Sequence, residues 1–377
     1  MKYRKFGNTG MEISRLGFGC MRLPTIKLNG KDVVDEDKTI EMIHRAYELG
    51  VNYYDTAYFY HGGQSELVLG KALKGIRDKV YVSTKSPGHL IKKHGDYTKI
   101  LEKQLKKLDI DYIDVYHFHG IGYDDFISLN EQTKHLDEAY KAKEQGLIKH
   151  ISFSFHDAPE NLKKLVDLGV FESVLCQYNI IDRSNEEAIN YAKSKGLGVV
   201  IMGPVGGGRF SGLPKETAGK LGINVRSSAE LALRFVFSNT GVDCALSGMG
   251  TMEMVEENSL TASNDELLSE KEVNEINKMM EENKKLADLY CTGCGYCIPC
   301  PSEVNIPHIF QMMNYHKVYG IEDYSRNGYA EIGTNEWVKG KRADACIECG
   351  VCETKCPQKL KIRDQLKECH KVLSRAY

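Results

Sequence analysis

Between Arg15 and Ala262, short β-rich runs alternate with amphipathic helical stretches eight times. The strands are predicted at 15–19, 51–55, 79–84, 112–118, 149–153, 172–178, 198–202 and 242–247. Between and after them come helices near 36–49, 65–74, 97–108, 131–145, 159 onward, 184–195, 227–238 and 251–262. Ile40, Ile43, Ala46 and Tyr47 share one face of the first helix, with Asp35 or Asp37 as its cap and Gly50 as its stop. Pro159 stands in the first turn of its helix, where a missing N–H costs nothing. Eight alternating units favour a closed parallel barrel, the (β/α)8 or TIM-barrel form of the α/β class. An open doubly wound sheet is the alternative, but no GxGxxG follows the first strand. Residues 1–15 read as a hairpin turning at Asn8-Thr9-Gly10 and capping the barrel floor.

With 377 residues, the chain exceeds a barrel of about 250 and leaves room for something smaller. The expected division is a barrel at 1–265, a connecting helix within 266–287 opened by a Ser269/Glu272 capping box, and a separate domain at 288–377. A net charge of −2 gives no reason to expect a nucleic-acid or anionic-membrane partner. The basic start MKYRKFGNTG has no apolar stretch behind it, and no run approaches about 18 apolar residues. A soluble, cytoplasmic protein is expected.

Three successive units carry reactive side chains at matching points. Val51–Asp55 breaks into Asp55-Thr56-Ala57 and reaches Tyr60 before a glycine turn; YVSTK ends in Lys85; DYIDVYHFH ends in His119. All four residues fall at the carboxyl ends of predicted strands, where barrels of this kind place their chemistry. Taken singly, an Asp–Lys pair is ordinarily a salt bridge and a strand-end histidine a satisfied core group. Their coincidence on three consecutive strand ends favours a site. His117, two residues before His119, reads as core or as support behind the site.

Eight of the twelve cysteines fall in two short stretches, 291–300 and 346–356. Clustered thiols in a reducing compartment read as metal ligands. Cys346, Cys349, Cys352 and Cys356, followed by Pro357, have the bacterial ferredoxin spacing, whose fourth cysteine ligates the other cluster. Cys291, Cys294, Cys297 and Cys300, followed by Pro301, repeat it with one residue fewer before the last thiol. A zinc site is the alternative for any CxxC pair. Two [4Fe-4S] clusters fit better, one on Cys291, Cys294, Cys297 and Cys356, the other on Cys346, Cys349, Cys352 and Cys300, with a single-cluster domain as the other option. Residues 288–377 are therefore expected to form a small α+β ferredoxin-like iron-sulfur domain. Cys176 and Cys244, in predicted strands, read as small buried thiols.

The DTAxxY run with Ser65-Glu66 behind it, the strand-end Lys85 and the DxYxxH run resemble the aldo-keto reductase superfamily over roughly the first 260 residues. The cysteine-rich tail resembles the subgroup of that family with a C-terminal 4Fe-4S ferredoxin-type domain. The resemblance implies that Asp55, Tyr60, Lys85 and His119 form a catalytic tetrad. His61 departs from the glycine usual after the tyrosine, which would reshape the substrate side of the pocket. The resemblance further implies NADP or NAD as cofactor, with Ser154 and Gln177 at the nicotinamide carboxamide. Phe155 stands where the family usually has asparagine, and Asn179 is a candidate replacement. Gly203, Gly206, Gly207 and Arg209 lie in the loop matched to the pyrophosphate. Ser247, Gly248, Glu257 and Asn258 fall at the adenosine end. Gly248 and Met254 stand where the phosphorylated cofactor usually meets Lys or Arg, so NADH and NADPH carry equal weight.

The expected activity is NAD(P)H-dependent reduction of a small-molecule carbonyl, or oxidation of the alcohol, beside an iron-sulfur electron-transfer domain that exchanges electrons with a redox partner protein or braces the barrel. The competing expectation is an electron-transfer or redox-regulatory protein whose barrel binds nucleotide without turnover.

Overall fold

The structure, a computed structural model, describes residues 1–180, 182–205, 223–278, 297–317, 321–335, 337–356 and 360–374. The chain forms two compact units, one built from Met1–Gly207 and Ala229–Ser269, the other from the remainder.

The first unit is the barrel. Its strands in chain order are β1 (Tyr3–Lys5), β2 (Glu12–Ser14), β3 (Leu16–Gly19), β4 (Thr25–Leu28), β5 (Lys31–Val34), β6 (Tyr53–Asp55), β7 (Tyr81–Pro87), β8 (Ile113–Ile121), β9 (Ile148–Phe155), β10 (Ser173–Gln177), β11 (Gly198–Met202) and β12 (Cys244–Ser247). Eight of them, β3 and β6 to β12, close a parallel barrel in which each pairs with the strand before it and β12 returns to β3. Helices α1 (Glu36–Glu48), α2 (Gln64–Ala72), α3 (Asp96–Leu108), α4 (Tyr123–Thr133), α5 (His135–Glu144), α6 (Pro159–Asp167), α7 (Glu186–Ser194), α8 (Ser228–Ser238) and α9 (Met252–Ser263) connect or follow the barrel strands.

Local chemistry sets these boundaries. The Asp35 carboxylate accepts the Lys38 N–H at 3.3 Å and starts α1, whose Thr39, Met42, Ile43 and Ala46 are buried at helical spacing. Gly50 follows at φ 92°, a left-handed geometry that suits glycine. The β1–β2 hairpin closes the barrel floor, bringing Phe6, Met11 and Ile13 into one core with Tyr53, Val115, Leu175, Val200 and Cys244. Complete burial of Phe6 contributes about 1.5–3 kcal/mol. Its ring occupies the space beside Gly198, where a Cβ would come within 2.4 Å of it.

Three features depart from the sequence expectation. An exposed antiparallel hairpin, β4–β5, follows the first barrel strand and turns at Asn29 and Gly30, both at positive φ. That Asn-Gly pair is a strong hairpin signal that the reading overlooked. The expected helix over 131–145 is two helices, α4 and α5, separated by Lys134 at φ 55°. Strand β8 runs past His119 to Ile121, with an irregular register between Phe118 and Ile121.

Residues 270–278 are helical, where the connecting helix was expected; its continuation lies outside the described residues. The described remainder of the second unit has helices at Ile306–Lys317, Glu322–Ala330, Val351–Lys355 and Ile362–Leu373, and a β-bridge between Val304 and Lys341. Ile309, Phe310, Met313, Tyr329, Ile362, Leu366, Cys369 and Leu373 belong to one core there. The spacing of Ile362, Leu366, Cys369 and Leu373 is helical, a periodicity the sequence reading missed. Among the described residues, no helix is long and apolar enough to cross a membrane.

Candidate active site

Asp55 ends β6, and Lys85 lies on the neighbouring β7. Their side chains meet in the barrel interior with Lys85 Nζ 2.5 Å from Asp55 Oδ1. Two further bonds fix the pair: Ser83 Oγ donates to Asp55 Oδ2 at 2.7 Å, and Lys85 Nζ donates to the Thr56 carbonyl at 2.7 Å. Ser83 precedes Lys85 by two residues and so shares its face of the strand, a relation the sequence reading left unused. Burial works against the Lys85 charge, but Asp55 and Tyr60 outweigh it and hold the ammonium above its ordinary pKa. Only 2% of Lys85 is exposed, so its charge acts on its neighbours with little screening by water.

Tyr60 opens a tight turn, Tyr60–Gly63, in which His61, Gly62 and Gly63 all have positive φ. Lys85 Nζ stands 4.8 Å from the centre of the Tyr60 ring. Burial raises the phenol's pKa, and Lys85 opposes the rise by charge and by hydrogen bonding. His61 is a left-handed residue at φ 52° where glycine would be unstrained; its Nε2 accepts the Leu23 N–H at 3.1 Å, tying this turn to the one after β3. His119 meets Tyr60 edge to face at 6.4 Å. It sits on the irregular end of β8, and such irregularities re-aim side chains beside active sites. Burial first, then Lys85, pushes its pKa down to about 3, so the ring is neutral and keeps one N–H to donate. His117, also neutral through burial, lies inside the barrel 3.9 Å from Asp55 Oδ2.

A buried network unforeseen from the sequence supports Lys85 from behind. Glu66, completely buried on α2, accepts from Thr84 Oγ1 at 2.8 Å and from Gln104 Nε2. Lys107 Nζ balances its charge at 3.2 Å, and Gln104 Nε2 reaches the Lys85 carbonyl at 3.2 Å. Glu66 belongs to the Ser65-Glu66 pair quoted above, but only folding brings α3 across it.

Ser154, Gln177, Gly203 and Ser247 lie at the same end of neighbouring strands. Ser154 is buried on β9, and its Oγ accepts the Gly120 N–H at 2.6 Å, which leaves the hydroxyl proton to donate elsewhere. Gln177 ends β10 against Gly203, where a Cβ would come within 2.7 Å of both its amide atoms; Gly203 has φ 63°. Asn179 Nδ2 donates to the Gly203 carbonyl at 3.0 Å, and its Oδ1 accepts the Asp182 N–H at 2.8 Å. Ser247 ends β12 and accepts from Asn258 Nδ2 at 3.1 Å, so Asn258 braces this strand end. Glu257 precedes Asn258 on α9. A Cβ on Gly248 would meet the Arg22 side chain at 3.1 Å. Gly206, Gly207 and Arg209 lie outside the described residues. Low glycine rims with Ser154 and Gln177 as polar groups suit a nucleotide laid across the strand ends.

In the second unit, Cys297, Cys300, Cys346, Cys349, Cys352 and Cys356 are in no disulfide, whereas Cys291 and Cys294 lie outside the described residues. Cys297 and Cys352 belong to the unit's core, with Cys300, Cys346 and Cys356 packed against it. Glu348 and Gly350, either side of Cys349, have φ 57° and 75°, which curls the chain between successive thiols. Among the described residues, no three His, Cys, Asp or Glu side chains converge on a single ion. A cubane cluster has no need of that, because each of its thiolates binds a different iron. The all-sulfur donor set suits iron-sulfur ligation.

Comparison with known proteins accords with both units. The model of the aldo/keto reductase family matches residues 15–222, and that of a 4Fe-4S dicluster domain matches residues 290–360. An L-galactose dehydrogenase of Arabidopsis thaliana is 27% identical over 315 residues, spanning 76% of this chain and 96% of that protein. An uncharacterized oxidoreductase of Bacillus subtilis is 28% identical over 305 residues, spanning 72% and 94%. The solved holo form of an aldo-keto reductase from Bacillus halodurans superposes with a TM-score of 0.62 at 28% identity, covering 74% of this chain and 96% of that one. With the closed barrel and its strand-end residues already in place, these matches assign the chain to the aldo/keto reductase family of oxidoreductases, with a 4Fe-4S dicluster domain at its C-terminal end.

Proposed function

We propose that the barrel reduces a small-molecule carbonyl, or oxidises the corresponding alcohol, using NADH or NADPH. The observation that carries this reading is the buried Asp55–Lys85 pair beneath Tyr60, with Lys85 Nζ 4.8 Å from the phenol ring. A bound nicotinamide supplies or accepts the hydride. Tyr60 gives its proton to the carbonyl oxygen in reduction and takes it back in oxidation. Lys85, held charged by Asp55, stabilises the phenolate that this transfer leaves. Neutral His119 donates its N–H to the same oxygen and orients it, adding a dipole where negative charge develops. Ser154 and Gln177 hold the nicotinamide carboxamide. Gly203, Gly206, Gly207 and Arg209 would hold the pyrophosphate, and Ser247, Gly248, Glu257 and Asn258 the adenosine end.

The same reading places the barrel at 1–265, the connecting helix within 266–287 and the iron-sulfur domain at 288–377, in a cytoplasmic protein. The domain holds two [4Fe-4S] clusters, one on Cys291, Cys294, Cys297 and Cys356, the other on Cys346, Cys349, Cys352 and Cys300. When bound, such clusters would supply single-electron transfer to or from a redox partner protein. Protein purified with its clusters and mixed with NADH or NADPH under nitrogen, with and without a panel of aldehydes, tests the reading. Nicotinamide absorbance should fall only when aldehyde is present, and Tyr60→Phe should slow the fall about 10²–10⁴-fold. Equal consumption by Tyr60→Phe and the unaltered protein would remove Tyr60 as the acid.

A further inference from the structure

The helix Ile362–Leu373 does more than fill the core of the second unit. Its Leu366, Cys369 and Leu373 pack there with Cys352, while Arg363 and Lys367, four positions apart and so on one edge of the helix, reach the cysteine run. Lys367 Nζ donates to Glu348 Oε2 at 2.7 Å, and Arg363 Nη1 donates to the Glu348 carbonyl at 3.5 Å. Arg363 Nη2 donates to Glu353 Oε2 at 2.8 Å, and the Arg363 backbone N–H to Glu353 Oε1 at 3.0 Å. Glu348 directly precedes Cys349, and Glu353 directly follows Cys352. One helix edge thus grips both ends of the segment that carries these two thiols.

The segment needs such a grip. Cys352 is buried in the core, but Cys349 is exposed, so its position depends on the loop that carries it. That loop turns through two left-handed residues, Glu348 at φ 57° and Gly350 at φ 75°. For Glu348 this backbone is strained, and it persists only where its surroundings over-determine it. Here Arg363 takes its carbonyl and Lys367 its carboxylate, while the Arg363 guanidinium lies across Gly350, with Cζ 3.8 Å from where a Cβ there would stand. Charge matters as well. A cluster on four thiolates gains a further negative charge on reduction, and the net charge around it shifts its potential. The Glu348 and Glu353 carboxylates oppose that reduction, and Lys367 and Arg363 offset them one for one. Exposed ion pairs of this kind add little to folding stability, so their effect is expected on the loop and what it binds.

We propose that Arg363 and Lys367 are positioning residues for the iron-sulfur cluster on Cys346, Cys349, Cys352 and Cys300: they hold the loop that presents Cys349 and Cys352, and they balance the two carboxylates beside it. The proposal rests on the ligand assignment given above. Geometry and charge are separable in it, because Arg363 supplies both and Glu353 mainly the second. Iron retention follows the grip on the loop, and the reduction potential follows the charge.

The test uses the full-length protein purified with its clusters under nitrogen. Two quantities are read: the rate of iron release to bathophenanthroline, and the midpoint potential from a reductive titration followed by electron paramagnetic resonance. Arg363→Met should release iron several-fold faster and shift the potential downward, because it frees the loop and leaves Glu353 unbalanced. Glu353→Gln keeps an acceptor for Arg363 but leaves the cation unbalanced, so the potential should rise while iron release stays near the unaltered rate. In Arg363→Met/Glu353→Gln the potential should return toward the unaltered value while iron release stays fast. If Arg363→Met assembles no cluster, Arg363→Lys decides: it keeps the charge without the fork, and should speed iron release with little change in potential. Iron release at the unaltered rate in the Arg363 variants, or potentials that move the same way in Arg363→Met and Glu353→Gln, overturns the proposal while the cluster reading stands. Full-length protein that carries no iron when purified without oxygen overturns the cluster reading itself.

Discussion

Replacing Lys85 by methionine removes the cation beneath Tyr60 while keeping most of the buried side-chain volume. At 4.8 Å and an effective dielectric constant of about 20, a unit charge stabilises the phenolate by about 3.5 kcal/mol. At about 1.4 kcal/mol per factor of ten, that favours the phenolate by about 300-fold. Burial already raises the Tyr60 pKa and Lys85 opposes it, so losing Lys85 moves it further up. Alcohol oxidation needs the phenolate as base. The rise of its kcat/KM with pH should therefore move to higher pH in Lys85→Met, and the rate at neutral pH should fall about 10²-fold or more. The substitution also strands Asp55, which is 3% exposed, and breaking such a buried pair costs about 3–5 kcal/mol. The double variant Lys85→Met/Asp55→Asn removes the stranded charge, and since Asp55 itself raises the Tyr60 pKa, its profile should shift less than that of the single variant. The assay is the pH dependence of nicotinamide reduction, read beside thermal unfolding to confirm that each variant folds. An unmoved pH profile in a folded Lys85→Met protein would refute the electrostatic argument, whatever happens to KM.

Two further outcomes are expected. His135 is buried in the first unit with its pKa pushed down to about 4, chiefly by burial. A lowered histidine contributes stability that is fully present above about pH 6.5 and is lost as pH falls through its folded value, here about 3 kcal/mol in all by pH 4. Unfolding scans from pH 7 to 4 should therefore show a shallower acid decline in His135→Leu; parallel curves would contradict the assignment. Cys352→Ser removes a thiol from the core of the second unit, and it should lower bound iron and visible absorbance by about half if two clusters are present. Iron content equal to that of the unaltered protein would exclude Cys352 as a ligand.

Much of the fold was legible because it rests on short-range rules. Asp35, Gly50 and Pro159 mark helix ends through their own backbone and side-chain chemistry, and each acts in the structure where the sequence places it. The hairpin at Asn29-Gly30 was equally legible and was overlooked. The departures have tertiary causes. Lys134 interrupts an otherwise acceptable helical run, with His135 packed between Phe118 and Phe126 after the break. The strand bearing His119 continues because its Gly120 N–H finds Ser154 Oγ on the neighbouring strand. Asn179 gives one amide N–H and one lone pair to backbone groups that only folding brings near it.

The sequence by itself determined the count and order of the barrel strands, the residues carried at their ends and the two cysteine runs. Periodicity, turn chemistry and ligand spacing are properties of neighbouring residues, and a string displays them directly. Only the tertiary structure decided which reactive groups meet and in what electrical state. Asp55 and Lys85 are thirty positions apart, and they meet at 2.5 Å because β6 and β7 are adjacent in a closed barrel. The suppressed charge of His119, the raised pKa of Tyr60 and the burial of Glu66 are likewise products of enclosure. Desolvation depends on what surrounds a group in space, and most of what surrounds these groups comes from strands and helices remote from them in the chain.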